Sequence, residues 1–360
     1  MTESKNFSND RNYGIDLLRI IAMIMICTLH TLGQGGILAS LSPNCIHFHI
    51  AWLLEIICFC AVNCYAIISG YVLFDKPFSL SRLTHLWSVI VFYTILITIT
   101  MLASKQTSFD RKLIYDAIMP ITRQQYWYLT AYFGMYLFSP FLIASIKKLK
   151  EKNIKKIFLI AFFLFSILPT FMGRDPFVLN GGYSMLWLCI LFLVGASVKK
   201  INLDISPKKS LVFFLIATLI TYSSKLVLPP IFSFFWKIDY NGNMFISYTS
   251  PTIVITALSL FFLCKQITIN KAITHFVKLF APASLSVYIM QTHPLIWNCY
   301  VSNFARSFVY DPIGFFVIKI IFTVLLIWLF SSIFDLVRQS LFRLLKINSL
   351  CLKASHFIKE

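Results

Sequence analysis

The sequence predicts an all-α fold: a polytopic membrane helical bundle of about ten transmembrane helices, with both termini cytoplasmic. Three observations lead there. The 360 residues are 58% hydrophobic and only 13% charged, with 36 phenylalanines, whereas a soluble domain is nearer half apolar and a quarter charged. The apolar residues gather into runs of about twenty, the length a helix needs to cross a hydrocarbon core of about 30 Å. The basic residues concentrate in alternate connections between those runs, the pattern by which loop charge orients a bilayer protein.

Taken in order, the first span, 15–34, follows Lys5 and Arg11. Spans 50–73 and 86–104 flank Lys76 and Arg82, and spans 126–146 and 155–172 flank the lysines at 147–156. Spans 183–199 and 210–229 flank Lys199, Lys200, Lys208 and Lys209, and spans 244–264 and 275–297 flank Lys265, Lys271 and Lys278. The last span, 313–337, precedes a tail with Arg338, Arg343, Lys346, Lys353 and Lys359. These segments hold 22 basic residues and the opposite loops hold 7, which places both termini in the cytoplasm. The expected organisation is a cytoplasmic segment 1–14, a transmembrane domain 15–337 and a basic tail 338–360. A polar start without a small-residue cleavage site reads as a retained first helix.

The formal charge of +18 would point to nucleic acid in a soluble protein. Here it sits in short loops, so topology accounts for it and no nucleic-acid partner is expected. The nine cysteines are scattered, without a CxxC pair, and imply neither a disulfide framework nor a zinc site. His47 and His49 form a His-x-His pair without acidic neighbours, so no metal is expected.

The first span contains two residues that are costly in a bilayer, Arg19 and His30. Eleven residues return to nearly the same helix face, about 16 Å further along the axis. Asp16, three residues before Arg19, is placed to pair with it. A neutral imidazole in a partly dry site is a general base near pH 7, and an arginine at the cytoplasmic end holds phosphate groups bidentately. Together they point to an anionic donor below and proton abstraction above.

The same segment, an Arg with ten residues and then a His, resembles the signature of the acyltransferase-3 family of bacterial membrane acyltransferases. AVNCYAIISGYVLF (61–74) resembles its second-helix motif, QYWYLTAYFGMYLFSPFL (125–142) its Trp-Tyr-Leu segment, and SLSVYIMQTHPLI (284–296) its late helix with a Tyr followed by His-Pro. The resemblance implies a ten-helix bundle that moves an acyl group, often acetyl from acetyl-CoA, onto hydroxyls of sugars or lipids. It implies His30 as the catalytic residue, with Arg19 assisting on the donor side and Arg82 at the family's basic position. The sequence departs from the family twice. His85 stands where many members complete an Arg-x-x-Arg with Arg82, and His293 lies five residues after Tyr288, where three is usual.

The remaining candidates each carry two readings. Glu55 is an interfacial residue, or an orienter of His30 or a hydrogen-bond acceptor for a sugar. Tyr71 is an aromatic-belt residue at the cytoplasmic interface or a donor contact, and Gly70 before it allows close helix packing. Trp127 and Tyr128 are an outer aromatic belt or stack on an acceptor sugar, and His293 satisfies a buried neighbour or lines the acceptor cleft. Lys225 and Lys319 snorkel. The expected partners are acetyl-CoA as donor substrate, a glycan or lipid-linked glycan acceptor, and membrane lipid, in a bacterial cytoplasmic membrane. A transporter or flippase for a small molecule or lipid-linked sugar is the alternative, since intramembrane Arg and His suit it too. A glycan polymerase is a third reading, against which the ordered motifs argue.

Overall fold

The structure, a computed structural model, describes residues 11–357. Most of the expected N-terminal segment 1–14 lies outside the described residues. Helices account for the architecture, with no strand among the described residues. In chain order they are α1 (Tyr13–Leu32), α2 (Ile46–Cys58), α3 (Ala61–Leu73), α4 (Leu80–Ala103), α5 (Arg111–Ile118), α6 (Trp127–Lys148), α7 (Glu151–Phe162), α8 (Leu168–Met172) and α9 (Met185–Lys200). They continue with α10 (Pro207–Trp236), α11 (Pro251–Lys265), α12 (Lys271–Phe280), α13 (Ser284–Thr292), α14 (Pro294–Ile296), α15 (Ile313–Leu344) and α16 (Ile347–Phe357).

Eight helical segments among the described residues are long and apolar enough to cross a membrane. The other two expected spans are helices as well, but short: α9 has 16 residues and α11 has 15. Both pack against α3 at the centre of the bundle, where protein and not lipid surrounds them. α11 starts late because Ser250 and Pro251 open it, with proline in the first turn, where a backbone N–H would have no intrahelical partner.

Three boundaries differ from the sequence expectation. The second apolar run is two helices, α2 and α3, broken at Phe59–Cys60. The ninth is broken by a turn at Ala281–Ala283 and stops at His293, because Pro294 disfavours helical backbone in the residue before it. The tenth continues to Leu344, and α16 then packs back against α4. The described part of the segment expected as a basic tail is thus largely helical, in the end of α15 and in α16.

The core lies around α1, which touches α2, α3, α11, α12, α13 and α15. Its apolar window is 67% buried, against 11% for the peripheral segment Glu151–Met172. Asn12 starts α1: its Oδ1 accepts from Ile15 N at 3.2 Å while its Nδ2 donates to Lys265 O at 2.9 Å. One side chain thus caps α1 and ties it to the end of α11. The outer helices α10 and α15 leave Phe213, Phe234, Phe322 and Phe330 exposed, an apolar rim suited to lipid.

α3 and α9 meet backbone to backbone. A Cβ on Gly70 would lie 1.9 Å from Phe192 O, and one on Gly195 would lie 2.0 Å from Ile67 O. Each glycine makes room for the other helix's carbonyl, the small-residue contact of packed membrane helices. Gly70→Ala is expected to cost about 3 kcal/mol, because a carbonyl fixed in a helix cannot yield as a flexible side chain does. The apparent melting temperature in detergent measures it, with Gly314→Ala as control, since nothing lies within 4 Å of a Cβ there. Equal melting of the two variants would contradict the close crossing.

A buried ion pair joins α4, α13 and α15. Asp335 is fully buried and accepts from Arg338 Nε at 2.8 Å, Arg338 Nη2 at 3.0 Å, Tyr93 Oη at 2.8 Å, Gln339 Nε2 at 2.7 Å and Ser286 Oγ. Lys225 does not snorkel: its ammonium is held by Asn241 O at 2.6 Å and Asn243 Oδ1 at 2.8 Å, 3.6 Å from the centre of the Trp52 ring. Lys319 pairs with Asp311 at 2.7 Å.

Candidate active site

One large cavity, of about 820 Å³, runs through the bundle, within the range of small-molecule sites. Arg19 and His30 both line it, as their spacing on α1 requires. Glu55, Arg82, Trp127 and Tyr128 line it too. Six of the eight residues singled out from the sequence therefore meet on one surface, brought there by α1, α2, α4 and α6.

At one end stand Arg19 and Arg82. Asp16, almost fully buried, accepts from both Arg19 and Arg11, so two guanidiniums share one carboxylate. Tyr65 Oη donates to Arg19 O at 2.6 Å and holds the helix here. Arg82 donates to Pro77 O at 3.2 Å and also lines a side chamber of about 130 Å³ together with Lys76. Burial, and then the guanidiniums of Arg82, Arg19 and Arg11, hold the Lys76 ammonium below its ordinary pKa. This end carries an excess of positive charge that a bound anion would relieve. His85 takes no part in the cavity wall; its ring faces Phe342 at 6.1 Å.

His30 stands further along. Its Nδ1 lies 3.2 Å from Gln291 Oε1, and its ring meets the Trp297 ring edge-on at 4.9 Å. Its Nε2 has no hydrogen-bond partner among the described residues. Along one wall runs a tyrosine ladder on α6: Tyr128, Tyr132 and Tyr136 stack in sequence, with centroids 6.2 and 6.4 Å apart. The i, i+4, i+8 spacing in WYLTAYFGMY carries this face, and sequence reading that stopped at Trp127 and Tyr128 missed it.

The far end is aromatic. Trp127 meets Tyr183 at 4.5 Å, Tyr183 meets Tyr248 at 5.0 Å, and Phe59 meets Tyr248 at 4.8 Å. Asn63, wholly buried, fixes this wall: its Nδ2 donates to Tyr248 O at 2.8 Å and its Oδ1 accepts from Trp187 Nε1 at 3.1 Å. Glu55 is 8% exposed and its Oε2 is buried without a partner. It makes no hydrogen bond to His30; the side chain that meets the ring nitrogen is Gln291.

Two expected site residues lie elsewhere. Tyr71 is off the cavity, packed on Phe261 at 5.2 Å, with Lys199 and Lys265 over its ring at 5.1 and 5.6 Å. The reason is angular: Ser69 faces the cavity, and Tyr71 is turned about 200° from it around α3. His293 is 5% exposed and lies off the cavity wall; its Nδ1 accepts from Leu295 N at 3.2 Å and caps α14. The residue that reaches His30 is Gln291, three positions after Tyr288, where the late motif usually has its histidine. His47 and His49 are engaged separately, the first with Asp311 O and the second with Tyr222 Oη, each at 2.9 Å.

No curated protein and no solved structure matches the chain. A family model described as an acyltransferase domain matches residues 12–332. That stretch takes in every residue that lines the cavity, from Arg19 and His30 of α1 to Trp297 and Asn298, and also Gln291 beside His30. A cluster of cations, an imidazole with a free nitrogen and a large cavity accord with that match, and the chain belongs to the acyltransferase-3 family of multi-pass membrane acyltransferases.

Proposed function

We propose that this protein is an O-acyltransferase of the bacterial cytoplasmic membrane. It moves acetyl from cytoplasmic acetyl-CoA to a hydroxyl of a surface polysaccharide or of its lipid-linked precursor. The observation that carries this reading is that one cavity gathers the cations Arg19 and Arg82, the imidazole of His30, and Glu55 with an aromatic wall. The positive-inside bias of the loops sets the Arg19 end in the cytoplasm, where the phosphates of an acyl-CoA meet Arg19, Arg82 and Lys76.

The thioester then reaches along the tyrosine ladder to His30. Nε2 of His30 takes the proton of the acceptor hydroxyl as its oxygen attacks the carbonyl. Trp127 and Tyr183 offer flat faces to a sugar ring, and Glu55 accepts hydrogen bonds from its hydroxyls. The chemistry uses this chain's own side chains and calls for no metal.

The test is ester-linked acetyl on the surface glycans of a bacterium lacking the gene and complemented with it, read by NMR before and after mild base. Base-labile acetyl that depends on the gene supports the reading. Its absence, with the protein present and no thioester consumed by the purified chain, moves the transporter reading ahead. For the donor end, Arg82→Ala is expected to raise KM for acetyl-CoA about tenfold with a smaller change in kcat, roughly 1.4 kcal/mol of uniform binding. An unchanged KM would remove Arg82 from the donor site.

A further inference from the structure

A base needs its lone pair on the right nitrogen. The Gln291 side chain is oriented independently of His30, because its Nε2 donates to Val287 O at 3.1 Å and to Cys27 Sγ at 3.0 Å. A backbone carbonyl only accepts, so the amide nitrogen belongs at Val287 and the amide oxygen at His30. That oxygen, 3.2 Å from His30 Nδ1, also only accepts. The proton of the neutral ring therefore sits on Nδ1, and the lone pair sits on Nε2. Trp297, edge-on at 4.9 Å, limits rotation of the ring.

We propose that Gln291 is the positioning residue of the site: it holds His30 in the Nδ1–H tautomer with Nε2 toward the cavity. The inference rests on the reading of His30 as the base. It fixes the route of one proton through the transfer. Nε2 takes the hydroxyl proton, the oxygen forms the ester bond to the carbonyl carbon, and the carbon–sulfur bond breaks. The imidazolium then returns the proton from Nε2 to the departing sulfur, leaving an ester and a free thiol. A neutral amide partner stabilises the imidazolium less than a carboxylate would, which favours that return. Glu55, the carboxylate in the same cavity, makes no contact with the ring that would change this.

The test does not depend on turnover. Carbethoxylation of His30 by diethyl pyrocarbonate requires an unprotonated, accessible ring nitrogen, and its rate against pH is read by mass spectrometry on the peptide carrying His30. The exposed His275 in the same full-length chain serves as internal reference. Gln291→Glu keeps the acceptor and adds a charge, so the midpoint for His30 is expected to rise by about 1–3 pH units. Gln291→Leu removes the acceptor, so the midpoint is expected to fall below that of the wild type. The acid limb of kcat/KM for acyl transfer should follow the same order, Leu below Gln below Glu.

A merely structural role would lower the melting temperature without ordering these midpoints. Each variant shifts the curve in its own direction, so either one that folds decides the matter. Coincident His30 curves in wild type and a folded variant overturn the proposal. Absence of acetyl transfer from acetyl-CoA, with the midpoints ordered as stated, would instead fault the donor reading and leave the Gln291 contact standing.

Discussion

His30→Ala is expected to abolish acyl transfer, by about 100- to 10,000-fold in kcat, the usual range for losing a general base. The ring is the one titratable group on the cavity wall that combines a partner on one nitrogen with a free second nitrogen. Nothing adjacent replaces it. The nearby cysteines are buried, and Glu55 makes no hydrogen bond to the position. The substitution leaves Gln291 Oε1 without its donor, so some stability is lost as well. His30→Gln fills the space and serves as the check on folding. Thioester consumption by equal amounts of purified wild-type and variant protein is the measurement. If both variants turn over at the wild-type rate, His30 is not the base and the first helix has been read wrongly.

The largest expected loss of stability comes from a residue far from that chemistry. Asp335→Ala is expected to cost about 3–5 kcal/mol, because it strands Arg338 in the interior without its counter-ion. Arg338 is 6% exposed and makes both of its ion-pair hydrogen bonds to Asp335. The same carboxylate gathers Tyr93 from α4 and Ser286 from α13, so its loss also frees two buried hydroxyls. Chemical unfolding in detergent reads the effect. Asp335→Ala with Arg338→Met should recover much of the loss, since the stranded charge causes most of it. A single variant as stable as the wild type would show that water or lipid headgroups already reach the pair.

The first of these residues was legible in the sequence and the second was not. Arg19 and His30 stood out because charge is rare in a bilayer span and because eleven residues return to one helix face. Asp335 and Arg338 lie at the end of the tenth apolar run, where charge reads as the start of a tail. Helical continuation to Leu344 and the arrival of α4 and α13 bury them. Gln291 was missed for a related reason. An uncharged amide carries no cost that marks it out, and the nearby His293 drew attention that its position beside Pro294 does not reward.

Residue order alone suffices for the helical membrane class, the approximate place of each apolar run, the basic connections and the face shared by Arg19 and His30. These are local properties: hydropathy, length and the helical period act over a turn or a span. The packed structure sets which residues meet across the bundle. It broke the second run into α2, which carries Glu55 to the cavity, and α3, which faces the cavity with Tyr65 and Ser69 and so turns Tyr71 away. It set α3 against α9 at Gly70 and Gly195, and it brought Gln291, 261 residues along the chain, to His30. Contacts of that separation depend on how helices pack, and packing depends on side-chain shape and close approach, which hydrophobic periodicity does not encode.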